Sequence, residues 1–236
     1  CFVVILCLID VTAAHAEFVS TFQLAGVFPG YNKLRVPGNT GTRMSFTDDL
    51  EANPTFSPRF DMGFILAERH YVGVMAALLT MSARGTLRRD TSFDNVLFVN
   101  GTRVKGLYRY DSYRLTYRYY FFINESFKIG AGVTGKLRDA ELTLESDTGN
   151  LIQRGCYTNT GLLPMVNYSI EWMPSRIFTL YTYGDIMITP HRRTEDVFAG
   201  IQYHLDNPLS LMAGYRLLET GIDLKRAFTF AMFHYL

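Results

Sequence analysis

Cysteine, tryptophan and long apolar runs are scarce in this sequence, and each shortage narrows the reading. Of its 236 residues three are cysteine, at positions 1, 7 and 156. Cys1 and Cys7 belong to an N-terminal segment of their own, so Cys156 has no partner and no disulfide framework holds the fold. A single tryptophan stands against 15 tyrosines and 18 phenylalanines. No apolar stretch after residue 16 approaches the roughly 20 residues of a membrane-spanning helix, so any contact with lipid falls to strands. An excess of one charge is missing too: 23 Lys and Arg against 22 Asp and Glu leave a net +1. No basic run is long enough to track phosphates, which argues against nucleic acid as a partner. His70, His191, His204 and His234 lie far apart, none at metal-ligand spacing, and no Cys/His cluster exists, so neither metal nor cofactor is expected.

What is present is alternation. Phe18, Phe22, Leu24 and Phe28 face one way, against Glu17, Val19, Thr21, Gln23 and Ala25. Phe60, Met62, Phe64 and Leu66 oppose Arg59, Asp61, Gly63, Ile65 and Ala67, and Tyr71, Gly73, Met75, Ala77, Leu79 and Met81 share a face in the next segment. The clearest strand sets Tyr113, Leu115, Tyr117, Tyr119 and Phe121 against Ser112, Arg114, Thr116, Arg118 and Tyr120. Similar segments lie at 127–138, 165–172, 178–188, 196–205, 209–217 and 228–236. A strand sends alternate side chains to opposite faces, so each segment has one fatty and one polar side.

Two kinds of interruption separate these strands. Those near residues 69, 125, 174 and 207 are short. Those at 29–58, 84–110, 139–161, 189–195 and 219–223 are longer, and alternate with the short ones. Residues 84–110 read as a hairpin above the wall turning at Asn100-Gly101 in type I′ geometry. Residues 29–58 and 139–161 read as long polar loops. Short turns on one side and long loops on the other is the rhythm of a transmembrane barrel.

A soluble barrel or sandwich also alternates. Charge placement argues against it: Arg114, Arg118, Lys128, Lys136, Glu171, Asp185, Asp196 and Arg216 all fall on the polar face, and the fatty face is nearly free of charge. A barrel of about ten strands encloses too little volume for all those large residues. Fatty faces outward and small or charged residues inward is the membrane arrangement. The fold class expected is therefore all-β, an antiparallel up-and-down transmembrane barrel of about ten strands, with eight to twelve in range.

The chain's last segment, Phe228-Thr-Phe-Ala-Met-Phe-His-Tyr-Leu236, puts Phe228, Phe230, Met232 and Leu236 on one face, with His234 the polar interruption. It resembles the C-terminal signal strand of bacterial outer-membrane β-barrel proteins, which usually end in Phe or Trp where this chain has Leu. The resemblance implies that these four residues serve as an insertion signal, read by the outer-membrane barrel insertion machinery. It also implies a surrounding of outer-membrane lipid and lipopolysaccharide. At the other end, Phe2 to Leu8 is continuously apolar and Ala14-His15-Ala16 has a small-x-small form, together the marks of a secretory signal. The domains expected are thus residues 1–16 as an export signal cleaved near Ala16, and 17–236 as one barrel domain.

Some apparent motifs carry little. Gly130-Ala-Gly132-Val-Thr-Gly135 matches GxGxxG, but no helix follows, and Gly130 and Gly132 read better as lumen positions giving room to a side chain opposite. The function expected is a non-enzymatic outer-membrane barrel with a narrow charged lumen and long outer loops, open to passing small solutes or to an envelope-structural use. Its lumen residues are Arg114, Arg118, Lys128, Lys136, Glu171, Asp185 and Arg216. A first alternative is a lipid-modifying enzyme, a lipid A or phospholipid hydrolase at the outer rim, with His191, Asp185 and Glu195 as its catalytic residues. A second is a surface adhesin using the loops 29–58 and 139–161.

Overall fold

The computed structural model describes residues 4–7, 12–13, 16–147, 152–205 and 209–236. In chain order the strands are β1 (Val4–Cys7), β2 (Thr12–Ala13), β3 (Ala16–Arg35), β4 (Met44–Ser45), β5 (Glu51–Ala52) and β6 (Thr55–Leu66). Then come β7 (His70–Ala77), β8 (Thr80–Thr86), β9 (Thr91–Phe93), β10 (Val96–Phe98), β11 (Arg103–Ile123) and β12 (Phe127–Ser146). The rest are β13 (Arg154–Trp172), β14 (Phe178–Thr189), β15 (Arg192–His204), β16 (Ser210–Leu224) and β17 (Ala227–Tyr235).

Every neighbour in the wall is antiparallel. The order β3, β6, β7 with β8, β11, β12, β13, β14, β15, β16, β17 returns to β3, where Phe228 pairs with Arg35 and Tyr235 with Val27. The result is a closed barrel of ten strands. Closure leaves no open seam where β17 meets β3, because Gly26 and Leu236 exchange both backbone hydrogen bonds, at 2.8 and 2.9 Å. Below that point β1 lies between β3 and β16, pairing Ile5 with Gln23 and with Met212. Of the expected export signal, Val4–Cys7 and Thr12–Ala13 are thus described as paired strands, whereas positions 14 and 15 of the expected cleavage site lie outside the described residues.

Outside, the wall is fatty. Phe60, Phe64, Val74, Tyr113, Leu115, Phe121, Val133, Val166, Trp172, Leu180, Ile201 and Leu211 are all exposed. On β11 this band runs from Tyr113 to Phe121, which matches the 9–11 residues a tilted strand needs to cross a bilayer. Above it the alternation inverts. On β11 Val104, Tyr108 and Tyr110 point inward while Lys105 and Arg109 face out; on β12 Leu142 and Leu144 are buried while Asp139, Glu141 and Glu145 face out. The reversal marks where the strands leave lipid for water, since the fatty side must then turn to the interior.

Three expectations are corrected here. Residues 139–161 form no long loop: β12 and β13 run on as a hairpin, with all 19 residues of β13 paired to β12 from Phe127–Trp172 up to Glu145–Arg154. Their outer faces there are polar, so the sequence looks like loop while the backbone remains a ladder. Second, the two-residue turn with positive φ at both positions is Asp94-Asn95, at +51° and +62°, between the paired Phe93 and Val96. At Asn100-Gly101 only the glycine is left-handed, at +84°, which is not type I′. Third, the face holding Met75, Leu79 and Met81 turns inward, and Val72 and Val74 meet the outside. Period two says which residues share a face but not which face meets lipid.

The segment 29–58 is likewise no free loop. β3 continues to Arg35, and the chain then folds over the barrel mouth, burying Val36, Met44, Phe46 and Leu50. The β9–β10 hairpin adds Phe93 and Phe98, and the two pieces are stitched together by Thr42 N–H to Ser92 O at 2.9 Å and Asp94 N–H to Val36 O at 2.9 Å. Gly106 and Gly155 are the seats of this cap. A Cβ on Gly106 would lie 2.8 Å from the Phe46 ring, and one on Gly155 would lie 2.7 Å from Phe93. The outer part of the interior is therefore a dry core of Phe46, Phe93, Phe98, Phe233, Leu34 and Leu144. The expectation of small or charged inward residues fails at this level, because the cap brings apolar partners for large ones.

The lumen as candidate functional site

Beneath the cap, side chains from eight strands meet across the interior. Asp196 on β15 accepts from three arginines: Arg59 of β6 at 3.1 Å, Arg216 of β16 at 2.6 Å, and Arg114 of β11. Arg114 also reaches Asp185 of β14 at 2.5 Å, whose other oxygen takes bonds from Thr134 at 2.6 Å and Asn167 at 2.7 Å. Asp185 and Asp196 are directly paired across two strands, so Arg114 offsets a like-charge contact by binding both. Arg59 additionally holds Asp61 at 3.0 Å, and Arg216 holds Gln23 at 3.0 Å and the Tyr183 hydroxyl. Lys136, fully buried, gives its ammonium to the Tyr110 hydroxyl at 2.9 Å, with Thr194 at 3.5 Å.

This layer closes the section. Arg114 and Asp196 are 5% and 3% exposed, and the gap beside them measures about 20 Å³, room for about one water. Such a cluster is consistent because charges buried together must be paired and hydrogen-bonded to offset lost hydration.

On the short-turn side of this layer the lumen opens into a chamber of about 330 Å³. Its wall carries Arg118 of β11, Lys128 of β12, Glu171 of β13 and Glu17 of β3, between the rings of Tyr71, Tyr120 and Tyr181. Arg118 is held rigidly: its Nε donates to Asn167 at 2.6 Å and one Nη to the Tyr120 hydroxyl at 3.1 Å, with the Tyr71 ring centroid at 5.1 Å. Gly130 makes this possible, since a Cβ there would lie 2.8 Å from the Tyr120 ring and 3.0 Å from the Arg118 stem. The ammonium of Lys128 sits 4.2 Å from the Tyr120 ring centroid.

The structure places the seven residues read as lumen-lining as follows. Arg114, Lys136, Asp185 and Arg216 stand in the closed layer, and Arg118, Lys128 and Glu171 in the chamber. Sequence reasoning missed Arg59 and Tyr183 as members of the cluster, and the entire cap. The first two lay on faces already read as inward; the cap residues are single apolar positions inside Gly-, Asn- and Asp-rich stretches, with no period to expose them. The catalytic trio is not assembled. Asp185 is inside the barrel, Glu195 is on the outer surface held by Arg193 at 2.9 Å, and His191 lies in the exposed turn between β14 and β15. Phe228, Phe230 and Met232 face outward on β17.

No family model and no curated protein matches the sequence. Among solved structures the chain is similar to Ail, the attachment invasion locus protein of Yersinia pestis, at 12% identity and TM-score 0.35, covering 86% of this chain and 99% of that one. It is also similar to the translocator domain of the autotransporter NalP from Neisseria meningitidis, at 9% identity and TM-score 0.43, covering 99% and 85%. A further match is the ferric-catecholate import receptor Fiu of E. coli K12 in its open form, at 10% identity and TM-score 0.34, covering 89% of this chain and 41% of that one. Identities this low say nothing of activity. In its own geometry, an even-stranded closed barrel, fatty outside and charged within, the chain has the architecture of outer-membrane β-barrel proteins.

Proposed function

We propose that this chain is an integral outer-membrane barrel, non-enzymatic and closed to solutes, that acts through the sheet it raises above the lipid. The observation that carries this reading is the Asp196 cluster: three arginines from three different strands brace one carboxylate across the whole lumen. Above it the cap packs a second barrier. The test is conductance. Refolded protein in a planar bilayer should give no discrete current steps; steady single-channel openings would overturn the closed reading. Outer-membrane lipid and lipopolysaccharide are its surroundings on this reading. An export signal ending near Ala16 delivers it, and Phe228, Phe230, Met232 and Leu236 guide its insertion.

Adhesion is a second use, favoured by one feature of β13. From Val166 to Trp172 it pairs with β14, but among the described residues no strand lies beyond its other stretch, Arg154 to Pro164. The backbone N–H of Cys156 points out of that edge, taken by Asp94 at 3.2 Å. Thr158, Thr160 and Leu162 share its direction, and a free edge of this kind accepts an added strand. Cells displaying the chain should lose adherence when Thr160→Pro blocks the edge; unchanged adherence with the variant folded would remove this use.

A further inference from the structure

We infer that the short-turn chamber is a binding site for a small zwitterion, a molecule of amino-acid to dipeptide size with a carboxylate at one end and an ammonium at the other. The contrast with the layer above it leads there. In that layer Asp185 is ion-paired with Arg114 at 2.5 Å and Asp196 with Arg216 and Arg59 at 2.6 and 3.1 Å, and Asp61, on the chamber wall, is held by Arg59 at 3.0 Å. In the chamber Arg118, Lys128, Glu171 and Glu17 carry two charges of each sign, and among the described residues none of them joins an ion pair within 4.0 Å. Lys128 and Glu171 are direct cross-strand neighbours and still do not close on each other; the lysine stays over the Tyr120 ring instead.

Arg118 is the anchor. It is 6% exposed, and Asn167 and Tyr120 fix its plane by using Nε and one Nη. The second Nη makes no hydrogen bond among the described residues. A buried guanidinium with one end fixed and the other free is prepared for a carboxylate. A simple anion would meet the repulsion of Glu171 and Glu17, and a simple cation that of Arg118 and Lys128. A zwitterion satisfies both signs, and its ammonium can also rest on tyrosine faces. The volume of about 330 Å³ lies at the low end of ligand pockets.

The inference stands apart from the closed-lumen reading, since a chamber open on one side binds without conducting. The test uses the chain refolded in a non-ionic maltoside and calorimetric titration with three probes: dialanine, its N-acetyl derivative and its amide. Dialanine should bind at millimolar concentration, and both derivatives at least about tenfold more weakly, since each lacks one charge-assisted contact. Arg118→Gln and Glu171→Gln, still heat-modifiable on a gel and so folded, should each weaken dialanine by a similar factor. No binding of dialanine would overturn the inference. So would an N-acetyl derivative that binds equally well, which would make the chamber an anion site. Should a variant fail to fold, the three probes on the unaltered chain decide alone.

Discussion

Asp196 holds more of this barrel together than any other single side chain described. Removing its charge leaves Arg59, Arg114 and Arg216 buried around a neutral group. Breaking a buried pair by deleting one partner typically costs about 3–5 kcal/mol, because the remaining charge keeps its desolvation penalty. Asp196→Ala should therefore fall at the upper end of that range in urea unfolding from lipid vesicles. Arg89→Ala, which removes an exposed guanidinium from its contact with Asp49 at 3.3 Å, should change stability by less than about 1 kcal/mol. The cap has its own decisive residue in Gly106. Gly106→Val has nowhere to put its side chain but the Phe46 ring, and overpacking of this sort costs about 1–3 kcal/mol. The expected readout is local: faster proteolysis within residues 36–54, with the wall intact. Equal proteolysis rates would show that Phe46 is not seated there.

At the scale of the strand, β13 allows a test of direction. Its odd-numbered residues turn their N–H toward β12, as Met173 does in reaching Ser126 O at 2.7 Å, and its even-numbered ones turn away, as Cys156 does. Pro164, which has no N–H, stands at an even position. Asn159→Pro should remove a ladder bond and cost on the order of 1 kcal/mol or more, whereas Thr160→Pro should cost much less. Equal losses of thermal stability would contradict the edge assignment. The strands also show what could be read in the sequence and what could not. Between Tyr113 and Phe121 lipid outside and charge inside impose a contrast that alternation displays directly. Past Asp139 the chain reads Asp-Ala-Glu-Leu-Thr-Leu-Glu-Ser, with Leu142 and Leu144 in the same parity as Lys136 and Arg138. That reversal was legible as a pattern, but a search for fatty outer faces passes over it and finds only a polar loop.

Over the whole molecule, three layers follow one another along the barrel axis: a dry cap, a paired ionic section and an open chamber. Ten strands and their directions followed from the alternation and the turn lengths. The layering did not, since it depends on which residues a non-periodic segment carries back into the mouth. Because the two barriers are separate, they should fail separately. Replacing residues 37–54 with a Gly-Ser linker should leave the barrel non-conducting, and adding Asp196→Ala to that deletion should produce current steps in a planar bilayer. Conductance from the deletion alone would mean that the ionic section does not seal.

The tall hairpin of β12 and β13 has a mechanical consequence. Its strands rise from the bilayer without a break, row after row of backbone bonds from Phe127–Trp172 to Glu145–Arg154. A pull applied near its tip is thus transmitted along covalent backbone straight into the wall, and neighbouring strands are loaded in shear across many bonds at once. Such a mast does not peel open one rung at a time. Under tension the part expected to yield first is the barrel's hold on the membrane, so whatever grips this sheet grips the envelope itself.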